Sequence, residues 1–357
     1  MAALNDEQTM LRDMARDWSN EKSPVSAFRK MRDTGFEQGY DPSVYGEMAQ
    51  MGWAGIIIPE QYGGSDFGFL SLGLVLEELG RNLNASPLAA SSAAAAAIIV
   101  GGSDAQKEEY LPKIAGGDLV ATLAIDEGPH HDPDAIEAGV SDGKLSGTKT
   151  FVPEGDGAGL FVVGAKDGLY LVEGEADGVS RASRSMVDSR SHAEIAFDGA
   201  AADRLADGGD ELLTDILDRA RIIASAEMLG MAVQAFETTL DYLKQRVQFG
   251  QALSSFQAIQ HRMANMFAEI ELMRSSVEGA LQAVDSGLGI AQAASLAKAT
   301  ANDTLNLVTR EMIQLHGGIG MTDEHDAGFY IKRARILEQQ WGNASFHRDR
   351  FAKLSGY

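Results

Sequence analysis

The stretch QAIQHRMANMFAEIELMRSSVEGALQAVDSG, residues 257–287, decides the architecture of the second half of this chain. Apolar residues stand at 259, 263, 266, 270, 273, 277, 281 and 284. Steps of three and four line one face of an α-helix. A helix of this length buries its stripe against other long helices, and candidates flank it on both sides. Upstream, LLTDILDRARIIASAEMLGMAVQAFETTLDYLKQR (212–246) is long and periodic. Downstream, a third helix is predicted over about 288–315 and a fourth after the pair Gly317–Gly318. Side by side, these predict a four-helix bundle over residues 208–357.

The first 117 residues also read as helical. In NDEQTMLRDMARDWSN, Met10, Met14 and Trp18 share a face and Asn5 is placed to cap. GWAGIIIPEQYGG (52–64) interrupts with a proline and a glycine pair, and reads as a loop with a buried apolar plug. SLGLVLEELGRN and DAQKEEYLPKIAGG resume helices, the second closed by Gly116–Gly117. PLAASSAAAAAIIVGG (87–102) falls short of the roughly 20 strongly apolar residues of a bilayer span, so it predicts a small-residue helix packed among neighbours. Past Gly117 the character changes. DLVATLAI, AGVSDGKLSGTKTFVP, GLFVVGA, GLYLVEG and HAEIAFDG are short β-rich runs punctuated by Gly, Asp and Ser, the pattern of an antiparallel β domain. The predicted class is α+β in three parts: helical 1–117, β 118–207, and the helical bundle 208–357.

The 357 residues suffice for such an organisation. There is no cysteine, which excludes disulfides, thiolate metal ligands and thiol nucleophiles. The start lacks the apolar core of a signal peptide, and a cytoplasmic protein is expected. A net charge of −22 repels nucleic acid and anionic membrane. It also repels anionic cofactors, so a nucleotide would need local arginines and backbone donors.

Three stretches, in order around the β domain, carry a resemblance to the acyl-CoA dehydrogenase family over essentially the whole chain. They are GWAGIIIPEQYGGSDFG (52–68) followed by LEELGRN, QRVQFGQALSSFQAIQHRMANM (245–266), and QLHGGIGMTDEHDAGFYIKRARILEQQWG (314–342). The resemblance implies FAD as cofactor, an acyl-CoA substrate, α,β-dehydrogenation, a tetramer of like or unlike subunits, and an electron-transfer flavoprotein as acceptor. Arg246 offers a planar fork of donors to a pyrophosphate, Phe249 a ring face, and Gln257 a partner for an adenine edge. Read alone, the same residues make a turn with a Phe anchor and a surface Arg. Gln314 with Gly317–Gly318 corresponds to a loop that contacts the ADP part of a neighbour's FAD. A glycine pair permits close approach and exposes N–H donors, and alone it is also a helix cap. His316 and His325 read as packing or surface residues.

The chain departs from the family at the chemistry. The family abstracts the α-proton with a carboxylate while hydride leaves the β-carbon. Counting back from Gly342 puts Trp341 at one usual base position, and counting from RIIASAEMLG puts Ala220 at the other. Glu227 lies seven residues past Ala220, about two helical turns along. It is either a displaced base or a buried glutamate paired with an arginine. Glu338, three residues before Trp341 inside RARILEQQ, is the other candidate for a substitute base, and reads more readily as a partner of Arg335 or Arg333. The run LAIDEGPHHDPDA (123–135) lacks the Gly-Ser with which relatives grip flavin and thioester. Phe151-Val152-Pro153 stands where relatives carry Trp-Ile-Thr, so a ring is kept and a hydroxyl lost. Asp218 and Arg221 match positions that contact acyl-CoA, and equally fit a helix-surface ion pair at i, i+3. The pattern most resembles the base-lacking subunit of heteromeric, steroid-degradation acyl-CoA dehydrogenases, a chain that clamps the ADP half of FAD beside a catalytic partner. A self-sufficient homotetramer using Glu227, or a non-enzymatic scaffold of the same fold, are the alternatives.

Overall fold

The computed structural model describes residues 4–35, 38–205 and 210–357. In chain order the elements are α1 (Asp6–Lys22), α2 (Val25–Thr34), α3 (Pro42–Gln50), α4 (Gly68–Arg81), α5 (Leu88–Gly101), α6 (Asp104–Ala115), β1 (Ala121–Ala124), β2 (Gly139–Ser141), β3 (Lys144–Pro153), β4 (Leu160–Ala165), β5 (Gly168–Glu173), β6 (Val179–Ser183), β7 (His192–Ala201), β8 (Asp203–Arg204), α7 (Asp210–Gln245), β9 (Val247–Gln248), β10 (Gln251–Ala252), α8 (Gln257–Ser286), α9 (Ile290–His316), α10 (Ala327–Gln339) and α11 (Ala344–Leu354). Two compact units result. One contains residues 1–26, 73–84 and 224–357, the other residues 27–72 and 85–223.

In the first unit, α8 buries Met263, Met266, Ile270, Met273, Val277, Leu281 and Val284, and Ile259 is half-buried. The stripe therefore points inward as its spacing predicts, and α8 packs on α9. The fourth helix predicted after the glycine pair is two helices. α10 stops at Gln339, α11 starts at Ala344, and both pack on α9. Trp341 (φ 60°) and Gly342 (φ 107°) break the run with left-handed backbone, which an α-helix of L-residues does not propagate through. At Gly342 a side chain is also sterically barred, because a Cβ would lie 2.5 Å from the Phe346 ring. α4 and α7 cross so closely that a Cβ on Gly230 would lie 1.8 Å from the Glu77 carbonyl oxygen.

α1 opens with the predicted cap. Asn5 Oδ1 accepts from the Gln8 amide, and Gln8 Oε1 accepts from the Asn5 amide. Its buried face is corrected, however. Leu11, Ala15, Trp18 and Ser19 point inward, while Met10 and Met14 are exposed at 71% and 41%. The i, i+4, i+7 stripe starts one residue later than the methionine reading had it.

In the second unit, α5 is buried nearly all round and packs on α6 and β1. That is why its alanines show no polar face. The plug in 52–64 is Trp53 and Ile56–Ile58, all buried. The β region forms two four-stranded sheets, ordered β1-β4-β5-β8 and β2-β3-β7-β6. β4 and β5 are covered on both faces, so their sequences read as unbroken apolar runs. One pairing departs from the antiparallel expectation: β1 runs parallel to β4, with Ala121 opposite Leu160. Parallel neighbours need a long crossover, and the chain supplies it by building β2 and β3 in between. β3 carries a register shift between Lys149 and Val152 where it pairs β7.

Candidate functional site

In the first unit, α7 runs out at Gln245 and the β9–β10 hairpin follows. The Arg246 amide donates to the Tyr242 carbonyl at 2.8 Å, and the Arg246 carbonyl accepts from the Leu253 amide at 2.9 Å. The hairpin base is thereby tied to the end of α7. Arg246 is exposed. Phe249, at φ 55°, is 87% exposed and meets Phe256 edge-on at 6.1 Å. Gln257, the first residue of α8, is exposed on the same segment. An almost bare ring held in left-handed backbone costs both strain and apolar exposure, which is what a surface awaiting a flat ligand or another chain presents.

The third stretch lies in the same unit. Gln314, Gly317 and Gly318 are exposed at the end of α9. Gly317 has φ 64°, and a Cβ on Gly317 or Gly318 would meet nothing within 4 Å. The turn is open to a ligand's backbone-close approach. His316, next to it, is buried, and its ring stacks on Tyr242 at 4.4 Å. The segment thus presents a cationic fork, a bare ring face, two side-chain amides and an exposed glycine turn whose Gly317 N–H is already bonded to the Gln314 carbonyl.

The base positions are apolar and enclosed. Trp341 is buried at 6% exposure. Its carbonyl faces His347 Nε2 at 3.0 Å. Ala220, on α7 in the second unit, is buried at 2%. Glu227 makes a bidentate pair with Arg333, at 2.9 Å to Nε and 3.1 Å to Nη2. Glu338 accepts from Asn306 at 2.6 Å and from Arg335 at 2.7 Å. Neither carboxylate stands unengaged.

One residue of this region was not singled out from sequence. Lys298, on α9, is fully buried. Its Nζ donates to the Leu337 carbonyl (2.7 Å), the Gly342 carbonyl (3.2 Å) and Asn302 Oδ1 (2.8 Å). Asn302 Nδ2 also donates to the Gly342 carbonyl, at 3.3 Å. A buried ammonium needs such a set of acceptors, and here they are the last carbonyls of α10 and the turn at Trp341. A lysine on the apolar face of SLAKATAN was the available signal.

In the second unit, Phe151 sits in the β3 bulge at φ 52° and 42% exposed. Pro153 offers only its carbonyl, which accepts from Thr122 Oγ1 at 2.8 Å. Asp218 and Arg221 are 2% and 1% exposed and form a 2.9 Å ion pair. The pair is buried, where the sequence alternative had it on the surface. Arg221 Nη2 lies 3.0 Å from His131 Nε2, and His131 Nδ1 lies 2.8 Å from Asp126. A guanidinium only donates, so Nε2 accepts and Nδ1 carries the proton toward Asp126. The loop that lacks Gly-Ser is thus tied to α7 by a histidine. Lys149, fully buried, anchors the same loop through the Ile125 carbonyl (2.9 Å) and Glu127 (2.6 Å). Burial holds the Lys149 ammonium below its usual range, and Glu127 opposes this. Asp126, His131 and Lys149 were visible in the sequence, but nothing in their spacing announced these contacts. Position 153 thus offers no hydroxyl, and the 123–135 run holds no Gly-Ser.

The sequence profile of the acyl-CoA dehydrogenase C-terminal domain matches residues 207–355, and that of the N-terminal domain matches residues 5–118. The chain is 29% identical over 374 residues to acryloyl-CoA reductase (NADH) of Anaerotignum propionicum, covering 97% of this chain and 93% of that one. It is 29% identical over 344 residues to acyl-CoA dehydrogenase IpdE2 of Mycolicibacterium smegmatis, covering 95% and 96%. A solved structure of a variant of the Tcur3481-Tcur3483 steroid ACAD superposes with a TM-score of 0.92 at 31% identity, covering 98% of each chain. Among the described residues no helix is long and apolar enough to cross a membrane.

Proposed function

Since the chain belongs to the acyl-CoA dehydrogenase family, whose members carry FAD, we propose that it is the subunit without a base in a heteromeric enzyme that dehydrogenates an acyl-CoA thioester. One observation carries this reading. The two usual base positions hold buried Trp341 and Ala220, and the two nearby carboxylates, Glu227 and Glu338, are engaged by Arg333 and by Arg335 with Asn306. A general base must reach the proton it removes, and a carboxylate spent on a buried guanidinium is a poor candidate.

Bound FAD supplies the acceptor for the hydride that leaves the substrate's β-carbon. This chain's share is to hold the other end of the cofactor. Arg246 would fork onto the pyrophosphate, Phe249 would cover a ring face, Gln257 would pair with the adenine edge, and Gln314 with the exposed Gly317–Gly318 turn would allow close approach of the ADP part. Phe151 keeps an apolar wall on the ring side, without the hydroxyl a threonine would give. Asp218 and Arg221, matched to acyl-CoA contacts by resemblance, here hold the 126–138 loop through His131. The partner subunit supplies the carboxylate and the flavin-ring contacts, and an electron-transfer flavoprotein takes the electrons onward. Likeness to a steroid enzyme named for two components agrees with a bulky acyl group and unlike subunits.

Flavin absorbance tests the proposal. The chain purified alone is expected to be colourless, and its mixture with the partner subunit yellow. One flavin per chain without any partner would favour the homotetramer with its own base. No flavin under either condition, with the partner shown to assemble, would favour the scaffold.

A further inference from the structure

Two stretches assigned to the dinucleotide meet at a ring stack that neither assignment uses. Tyr242, on the last turns of α7, accepts the Arg246 amide on its carbonyl. Its ring lies parallel to that of His316, at 4.4 Å and 28°. Its hydroxyl faces the His316 carbonyl at 3.3 Å. On the other side the His325 ring lies 4.3 Å from His316, tilted by 48°. His316 is the last residue of α9, and the Gly317–Met321 turn hangs from it.

Each imidazole uses its Nδ1 in a bond to the main chain. His316 Nδ1 donates to the Met312 carbonyl at 2.8 Å, which leaves Nε2 as the bare nitrogen. That Nε2 is buried without a hydrogen-bond partner, and the residue is 3% exposed. His325 Nδ1 accepts from the Ala327 amide at 3.1 Å and so caps the start of α10. A proton on His316 would create a buried N–H with no acceptor and a cation 4.3 Å from a second imidazole. A proton on His325 Nδ1 would destroy the α10 cap.

We propose that the Tyr242–His316–His325 stack is a proton-sensitive clasp: with both histidines neutral it holds the Gly317–Met321 turn, and protonation releases it. The titratable groups facing His316 are Tyr242 from α7 and His325 from the segment after the turn. Its own helix presents the Met312 carbonyl. Burial pushes the His316 imidazole below its ordinary range. The Met312 carbonyl pulls the other way, and His325 lowers it further. The neutral stack is therefore the form at neutral pH, and acid acts against both the ring pairing and the α10 cap. Because Tyr242 also anchors Arg246, release of the turn loosens the hairpin base. If these stretches hold FAD, a consequence that rests on the function proposed above, cofactor retention is proton-linked.

Hydrogen exchange read by mass spectrometry tests the clasp on the full chain in its native oligomer, from pH 8 to pH 5.5, with rates corrected for intrinsic exchange. Peptides covering 314–322 are expected to lose protection by about tenfold per unit of pKa separation between closed and released states. Peptides from the middle of α8 stay constant. His316→Phe, which keeps a ring that cannot take a proton, is expected to flatten the profile. A flat wild-type profile, or the same loss in His316→Phe, overturns the proposal. Should His316→Phe fail to fold, His325→Asn decides. It keeps an acceptor for the Ala327 amide but removes the facing imidazole, so the acid loss must shrink, and an unchanged loss overturns the clasp. Retained flavin is measured in the same samples. Lost protection with flavin fully retained leaves the clasp standing and counts against the turn as a FAD contact.

Discussion

Replacing Glu227 by glutamine separates a base from a structural ion pair. The Glu227 and Arg333 side chains are 12% and 11% exposed and joined by bonds of 2.9 and 3.1 Å. Glutamine keeps one acceptor oxygen and sets an NH2 group against the guanidinium. One bond keeps the donor's charge but loses the acceptor's, the other becomes donor against donor, and the negative charge facing the nearly buried Arg333 is removed. Hydrogen bonds to charged groups contribute about 1.5–3 kcal/mol, and stripping one partner from a buried pair costs about 3–5 kcal/mol. The expected destabilisation is therefore about 3 kcal/mol, read from the denaturant midpoint of the assembled protein. A Glu227→Leu, Arg333→Met double variant removes both charges and should recover most of that loss. Turnover is the second readout. A general base is worth about 10²–10⁴-fold, whereas an ion pair distant from the chemistry should cost less than about tenfold in folded enzyme. A rate loss of about a hundredfold or more with an unchanged denaturation midpoint would refute the ion-pair reasoning, and with it the heteromer.

Arg246→Ala should raise the Kd for FAD in the assembled oligomer about ten- to a hundredfold, and unchanged flavin content and affinity would remove Arg246 from the site. Trp341→Glu should give no dehydrogenation by this chain alone and should lower its stability, since a large buried ring is exchanged for a desolvated carboxylate. Steady acyl-CoA turnover by the flavin-bound variant would show that only the base was missing. Lys298→Met should cost about 2 kcal/mol in chemical denaturation, because it strands the Leu337 carbonyl and takes one donor from the Gly342 carbonyl, which keeps Asn302, and an unchanged midpoint would mean that other donors serve them. The folded His316 value lies below the ordinary one, so the folded state binds fewer protons than the unfolded state as pH falls. Its contribution is complete above about pH 6.5 and is lost as pH drops through the folded value. His316→Phe should reduce the slope of stability against pH in that window, and identical slopes would contradict this.

The helices were legible because a 3.6-residue period writes burial directly into sequence, as the stripe from Met263 to Val284 shows. α1 was misread by one residue because Met10 and Met14 are apolar yet exposed. The parallel pairing of β1 with β4 was invisible, since it depends on which distant strand arrives beside Ala121. The same holds for the site. Glycines and an exposed phenylalanine can be counted in a line. The partners of Glu227 and Lys298, 106 and 39 to 44 residues away, are supplied only by folding. Lys298 was overlooked because a single lysine in a helix reads as solvated, and the Leu337 and Gly342 acceptors are main-chain carbonyls that leave no mark in sequence.

The turn at Trp341 is gripped at its main chain: Lys298 and Asn302 hold the Gly342 carbonyl, and His347 faces the carbonyl of Trp341 itself. These bonds are made to backbone carbonyls, so they do not depend on what side chain residue 341 carries. That part of the socket is separable from its occupant. A lineage with two copies of such a gene can change the side chain there in one copy while the surrounding scaffold persists, so that one copy stops reacting before it stops folding. Division of labour between like subunits can then begin without new architecture, at one side chain in a turn that was already secured from behind.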